Sequence, residues 1–514
     1  MRTYRPAVPT AVAVGLALVL AIASVVTTGA GPAAAARSAP VAAQQLHWTP
    51  CPFPDAPAEL QCASVAVPLD YAHPGGAKTV VTVDRLPAVG GPRVGSLVFN
   101  PGGPGGSGTE IVYGESIGAG FFSAGVRRHF DLIGLDPRGV GLSNPVKCDP
   151  AVFNARVSLF PKTEAGFRRL VAHNRAFGES CRRLTGPLLE HVDTLSAAKD
   201  IEALRQALGE GKLNYLGLSY GTQLGETYAD LYPHRIRTMA LDGALVHSLP
   251  ATTLFADEET GYDIELKRFA RWCDQTASCA LHGRPVLPLF DRVVATADQH
   301  PIPASGCATN GCRPEVTGDD IRFNTQGLLL FKTPIPFIAP DGWNDLAVAL
   351  AQAAAGDASG FSMPLASAPD DGAMNAGGLA VECLDWPDPI HTFADMQRYE
   401  AFGQLLSPRL RGASQSWTIL AGCLGWPAPA TNPPAPIEVT GTPPILLVNA
   451  THDPSTQYVW AQQMATELRT SVLVTRAGDG HTTYLTHGPS RTRDAIDRYL
   501  VTGRTPPPGT VYQN

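Results

Sequence analysis

The pentapeptide Gly217-Leu218-Ser219-Tyr220-Gly221 carries the first recognisable chemistry in the chain. A serine hydroxyl becomes a useful nucleophile only when a base takes its proton and a carboxylate orients that base. The G-x-S-x-G spacing supplies the required turn, because Gly on both flanks removes side-chain clashes where a strand passes abruptly into a helix. The positive end of that helix favours negative charge developing near Ser219. Two later loops offer the partners. Asn449-Ala450-Thr451-His452-Asp453-Pro454 contains Asp453, and Gly478-Asp479-Gly480-His481 contains His481. The order nucleophile, acid, base then runs along the chain as Ser219, Asp453, His481. Asp479 and His487 compete for the last two roles. Asp479 is too close to His481 in sequence for the usual geometry, and His487 lacks a Gly-flanked loop. Asn449-Ala450-Thr451 also matches a glycosylation sequon, here taken as chance at a buried strand end.

A second segment, Asn100-Pro101-Gly102-Gly103-Pro104-Gly105-Gly106-Ser107-Gly108, can aim backbone N–H groups at an oxyanion. The N–H of Tyr220, the residue after the nucleophile, would be the other donor. The same stretch satisfies G-x-G-x-x-G, so a dinucleotide site competes, but the acidic ribose partner is not convincing at the expected spacing and an exported protein meets little NAD. Asp136 and Arg138, in Asp136-Pro137-Arg138-Gly139, are expected to brace a structural loop beside the site.

Elements must hold these loops in place. Thr79–Arg85, Gly95–Asn100, Phe130–Leu135, Lys212–Leu218 and Ile236–Leu241 read as strands, and Ser196–Leu208 as a helix capped by Ser196 and ended by Gly209. Alternating strands and helices imply a parallel α/β sheet. The alternation stops near Pro250 and returns with Pro444–Asn449 and Ser471–Thr475. Between them lie helical patches, Pro-rich breaks and six of the ten cysteines. The expected organisation is therefore one α/β core in two parts, residues 37–245 and 436–514, interrupted by an insertion at 246–435.

With 514 residues, 44% hydrophobic and 17% charged, the chain can bury a large core. Its net charge of −7 provides no basic field for nucleic acid, which excludes that partner class. Residues 1–36 have a basic start, an apolar run and an Ala-rich end, the layout of a secretory signal peptide rather than a membrane anchor. The mature protein is expected to be secreted, without a membrane span. Ten cysteines in an exported chain suggest disulfides, with Cys51–Cys62, Cys273–Cys279 and Cys307–Cys312 favoured by spacing, leaving Cys148–Cys181 and Cys383–Cys423. Zinc is the rival use, but no paired C-x-x-C or H-E-x-x-H spacing occurs.

Taken together the motifs resemble the secreted tripeptidyl aminopeptidase branch of the α/β-hydrolases, related to prolyl aminopeptidases. The matching pieces include Pro101–Gly105, Asp136–Ser143, Gly217–Thr222, Leu241-Asp242-Gly243, the Asp453 and His481 loops, Trp48–Tyr71 and Cys383-Leu384-Asp385-Trp386. Pro101 replaces the His that opens the prolyl aminopeptidase motif, which argues against strict Pro specificity. The resemblance implies an α/β-hydrolase fold with a mainly helical cap inserted between the two parts of the core. It also implies Gly103 as the first oxyanion donor, Gly102 being the fallback, and no metal or cofactor. An exopeptidase must recognise a free α-amino group, and Glu382 and Asp385 are the candidate carboxylates, with a Cys383–Cys423 disulfide holding them. The expected activity is release of short peptides, tripeptides above all, from free N-termini of peptide substrates through an acyl-enzyme. A carboxylesterase or lipase with the same three residues is the alternative, and a non-catalytic binding protein on the same fold a more distant one. Oligomeric state is not legible.

Overall fold

The computed structural model describes residues 44–486 and 490–513; the expected signal peptide and His487 lie outside the described residues. Twelve strands form among them: β1 Thr49–Pro50, β2 Gln61–Pro68, β3 Lys78–Leu86, β4 Gly95–Asn100, β5 Phe130–Leu135, β6 Leu213–Leu218, β7 Ile236–Asp242, β8 Ile302–Pro303, β9 Glu315–Val316, β10 Leu446–His452, β11 Val472–Asp479 and β12 Val511–Gln513. Ten of them make one sheet in the order β1-β2-β3-β5-β4-β6-β7-β10-β11-β12, while β8 and β9 form a separate small ladder. Pairing is antiparallel from β1 to β3 and between β3 and β5, and parallel from there to β12. The central strands β4 and β6 are buried along their whole length, as expected of a parallel sheet covered on both faces.

Helices cover the two faces. On one side Leu170, Ile201, Leu204, Leu224 and Tyr228 join Val98, Ile133 and Tyr215 in a large apolar core. On the other, Val112, Phe122, Ile496 and Tyr499 pack on Phe99, Leu216 and Val448. The expected helix at Ser196–Leu208 begins earlier, at Thr194, and runs to Ala207. Its cap is Asp193, whose carboxylate accepts the Ser196 N–H and hydroxyl.

Between β7 and β10 the chain is mainly helical, beginning with the long helix Ala251–Gln275. Two parts of this segment behave differently. Leu266, Phe269, Phe290, Trp343, Leu350 and Phe361 build an apolar core of their own. The later helices Ala373–Asp385 and Gln415–Gly422 instead send Ala380, Leu384, Trp417 and Leu420 into the main core. Five disulfides link Cys51–Cys62, Cys148–Cys181, Cys273–Cys279, Cys307–Cys312 and Cys383–Cys423, the pairing expected from the sequence. No helix among the described residues is long and apolar enough to cross a membrane.

Candidate active site

The parallel register brings four loops to one edge of the sheet. Asn100 pairs with Gly217, Leu218 with Asp242, and Asp242 with Val448, so the segments after β4, β6, β7 and β10 emerge side by side. Such sheets gather their functional groups at this carboxyl edge. Ser219 stands at the turn between β6 and the helix Tyr220–Leu231 with φ 55° and ψ −125°, a left-handed conformation that a non-Gly residue adopts only when its surroundings impose it. What imposes it is close packing. The Ser219 N–H donates to Asp242 O at 3.0 Å. A side chain added at Gly217 would come within 2.3 Å of Gly221 O, so the elbow needs both glycines.

Asp453 and His481 form a bonded pair. His481 Nδ1 lies 2.9 Å from Asp453 Oδ2 and 3.0 Å from Oδ1, which leaves Nε2 as the outward ring nitrogen. Asp453 is 1% exposed and also accepts the N–H groups of Ser455 and Thr456 and the Thr456 hydroxyl. The His481 loop is framed from beneath. Asp242 accepts the N–H groups of Thr483 and Tyr484, and its own carboxyl is pushed up to about 6 by burial. The Arg476 guanidinium donates to the carbonyls of Asp479, Gly480 and Thr482. Asp479, the competing acid, is held below its usual range, burial being outweighed by ion pairs with Arg268 and Lys332. Asn449 spends its side chain on the Ala244 N–H and Thr456 O, so the apparent sequon is a buried structural asparagine.

The Gly-rich loop closes on Ser219. A side chain at Gly102 would meet Leu218 O at 2.4 Å and Ser219 Cβ at 2.8 Å. The Gly102 N–H donates to Asn100 Oδ1, whereas among the described residues the N–H groups of Gly103 and Tyr220 have no protein partner. The other side of the loop is sealed, since a Cβ at Gly105 would meet Met374 O at 2.2 Å and Gly378 N at 3.0 Å. Chain atoms therefore occupy the space beside Gly105, the position where a dinucleotide motif needs close approach of the pyrophosphate, which argues against that alternative. Asp136 accepts from the hydroxyls of Ser107 and Thr109 and from the Thr109 N–H, which braces the far end of the loop. Arg138 pairs with Asp200 deep in the core.

Ser219 and Gly103 line a narrow cavity with Glu258, Glu382, Trp386, Gln415, Ser416 and Ser455 among its walls. Of the two carboxylates expected there, Glu382 is present and Asp385 is not. Asp385 turns into the core, where it accepts four hydrogen bonds, two from Thr194, one from Gln223 and one from Asn432. Both residues lie within the helix Ala373–Asp385, and their partners separate them: Thr194, Gln223 and Asn432 hold Asp385 on the core side, while Gln415 meets Glu382 at the cavity. Glu258, from the helix Ala251–Gln275, takes the place expected of Asp385. Its Oε2 accepts the Ser416 N–H at 2.8 Å. Burial pushes Glu258 up to about 7, with the Asp453 charge adding to it, and Glu382 up to about 8, with the charges of Glu258 and Asp385 adding to it. Glu382 has a single protein donor among the described residues, Gln415 Nε2 at 3.0 Å. Glu258 was not legible in advance, since Asp257, Glu258 and Glu259 are adjacent acids and nothing in the pattern says which faces a cavity.

A mostly parallel sheet that sets a strained serine, a buried Asp–His pair and a Gly-rich loop at its carboxyl edge is the arrangement of an α/β-hydrolase, here a serine hydrolase. The chain belongs to the TAP-like family of these enzymes. Residues 408–512 match the family model described as TAP-like protein, and residues 95–292 match that of the alpha/beta hydrolase fold. The chain is 32% identical to serine protease Hip1 of Mycobacterium tuberculosis, over 91% of each protein. It is also 32% identical to the tripeptidyl aminopeptidase of Streptomyces lividans, over 91% of this chain and 88% of that one. Carboxylesterase B of Mycobacterium tuberculosis is 31% identical, over 91% of this chain and 90% of that protein.

Proposed function

We propose that the protein is an exported serine exopeptidase that releases short peptides, tripeptides by preference, from free N-termini. Ser219 is the nucleophile, His481 the base and then the acid, and Asp453 the group that orients His481. His481 removes the Ser219 proton as Oγ attacks the scissile carbonyl. The Gly103 and Tyr220 N–H groups receive the oxyanion. His481 returns the proton to the leaving amine, and water then frees the acyl group from Ser219. The observation that carries the peptidase reading is the pair of buried carboxylates, Glu258 and Glu382, in the same cavity as Ser219. A buried carboxyl that is costly to ionise alone suits a cationic partner, and an α-ammonium supplies the missing charge. The curated relative named as a carboxylesterase supports the second reading, an esterase built on the same three residues.

Two chromogenic tripeptide anilides, alike except that one is N-acetylated, separate these readings. The expected result is cleavage of the free-amine form alone. Equal cleavage of both, or cleavage of neither while a simple ester is hydrolysed, overturns the exopeptidase reading.

A further inference from the structure

Gln415 stands where recognition and chemistry meet. It opens the short helix Gln415–Gly422 and is half-buried beside the cavity. Its side-chain nitrogen donates to two acceptors at once, Glu382 Oε1 at 3.0 Å and the backbone carbonyl of Gly103 at 3.0 Å. One acceptor is the proposed amine anchor and the other lies in the loop proposed to hold the oxyanion. The next residue, Ser416, gives its N–H to Glu258. The Cys383–Cys423 disulfide ties the end of this helix to the residue after Glu382.

We infer that Gln415 is a positioning residue that couples occupation of the amine anchor to the setting of the Gly103 loop, so that a bound α-ammonium raises turnover and not only affinity. The inference rests on the exopeptidase reading above. The physical reason is the change in one hydrogen bond. With the cavity empty, Glu382 is a poor acceptor in its neutral form. An ammonium beside it favours the carboxylate, and the Gln415–Glu382 bond becomes charge-assisted, shorter and stronger. The amide is then fixed, and the Gly103 carbonyl on its other hydrogen is fixed with it. Part of the substrate's remote binding energy is thereby used at the reacting centre. A substrate without an amine meets a loop held by the weaker bond.

The test compares kcat and KM of the full mature enzyme and of Gln415→Met on two substrates, a free-amine tripeptide anilide and 4-nitrophenyl acetate. Met keeps the length of the side chain and removes the donor. The expected result is a ratio of anilide kcat to ester kcat that falls about tenfold, with the anilide KM moving less than kcat. A second variant, Gln415→Lys, places an ammonium permanently beside Glu382 and is expected to raise the anilide KM at least tenfold while the loss of ester kcat stays the smaller of the two. Thermal melting of both variants shows that they fold. An unchanged kcat ratio in Gln415→Met, or equal losses on both substrates, overturns the coupling. A wild-type enzyme that cleaves free and N-acetylated anilides alike fails at the earlier step and overturns the exopeptidase reading together with the coupling.

Discussion

Glu382 and Asp385 stand three residues apart at the end of one helix, both almost without solvent exposure, yet they belong to different regions of the molecule. On the core side, Asp385 is surrounded by donors from three separate segments and its carboxyl is pushed only to about 6. On the cavity side, Glu382 has Gln415 and a cavity, and is pushed to about 8. The difference teaches what a buried carboxylate is for. Asp385, with its lone pairs used by three segments, holds those segments together; Glu382, with one donor among the described residues and a cavity beside it, is the carboxyl that the proposed reading offers to a ligand.

The comparison can be broken or sharpened by substitution. The largest effect is expected from Ser219→Ala, which removes the chemistry that both regions serve. It should lower turnover of every substrate by about 10⁴-fold or more, measured against the unchanged fold by circular dichroism. Glu382→Gln and Glu258→Gln should lower kcat/KM for free-amine anilides by about 10- to 100-fold, corresponding to one or two charge-assisted contacts, and spare esters. Melting temperature should hold or rise, because an ionisable group is removed from a buried place. Asp385→Ala should do the opposite. It leaves Thr194, Gln223 and Asn432 donors unpaired and should cost about 3 kcal/mol of stability, read as a lowered melting temperature with activity per folded molecule less affected. If Glu382→Gln and Asp385→Ala behaved alike, the distinction between the two regions would fail.

The smallest effect is pH-dependent. Glu258, Glu259 and Glu382 are raised from the ordinary 4.5 to about 7, 8 and 8, in each case chiefly by burial. A carboxyl raised on folding stabilises fully below its unfolded value and loses that contribution as pH climbs through its folded value. The melting temperature should therefore decline between about pH 5 and pH 8, and Glu259→Gln should flatten that slope. A melting temperature that rises steadily over this interval would contradict the assignment.

Much of this was legible from residue order. β4 and β5 match their expected bounds, because Gly95 and Asn100 bracket one apolar run and Phe130 opens the other. The elbow, the Asp453 loop and the His481 loop were marked by small residues after strands. What was hidden depended on contacts distant in sequence. β11 extends to Asp479, past the expected Thr475, because buried Arg476 interrupts the apolar run while its two terminal nitrogens donate to three carbonyls. Asp385 looked equivalent to Glu382 because spacing cannot reveal that Thr194 and Gln223 would reach it. Gln415 carried no signal, since an amide at a helix start is common and its two acceptors lie 33 and 312 residues away.

The Cys383–Cys423 bond closes a loop of 40 residues and joins the segment bearing Glu382 to the helix opened by Gln415. Closing such a loop removes freedom equivalent to about 4 kcal/mol from the unfolded chain. Ser219, Asp453 and His481 lie on strands and loops that this bond does not span. The constraint therefore falls on one wall of the cavity and not on its floor: on the exopeptidase reading proposed above, the cross-link sets the spacing between Glu382 and Gln415 and leaves the elbow to be held by the sheet.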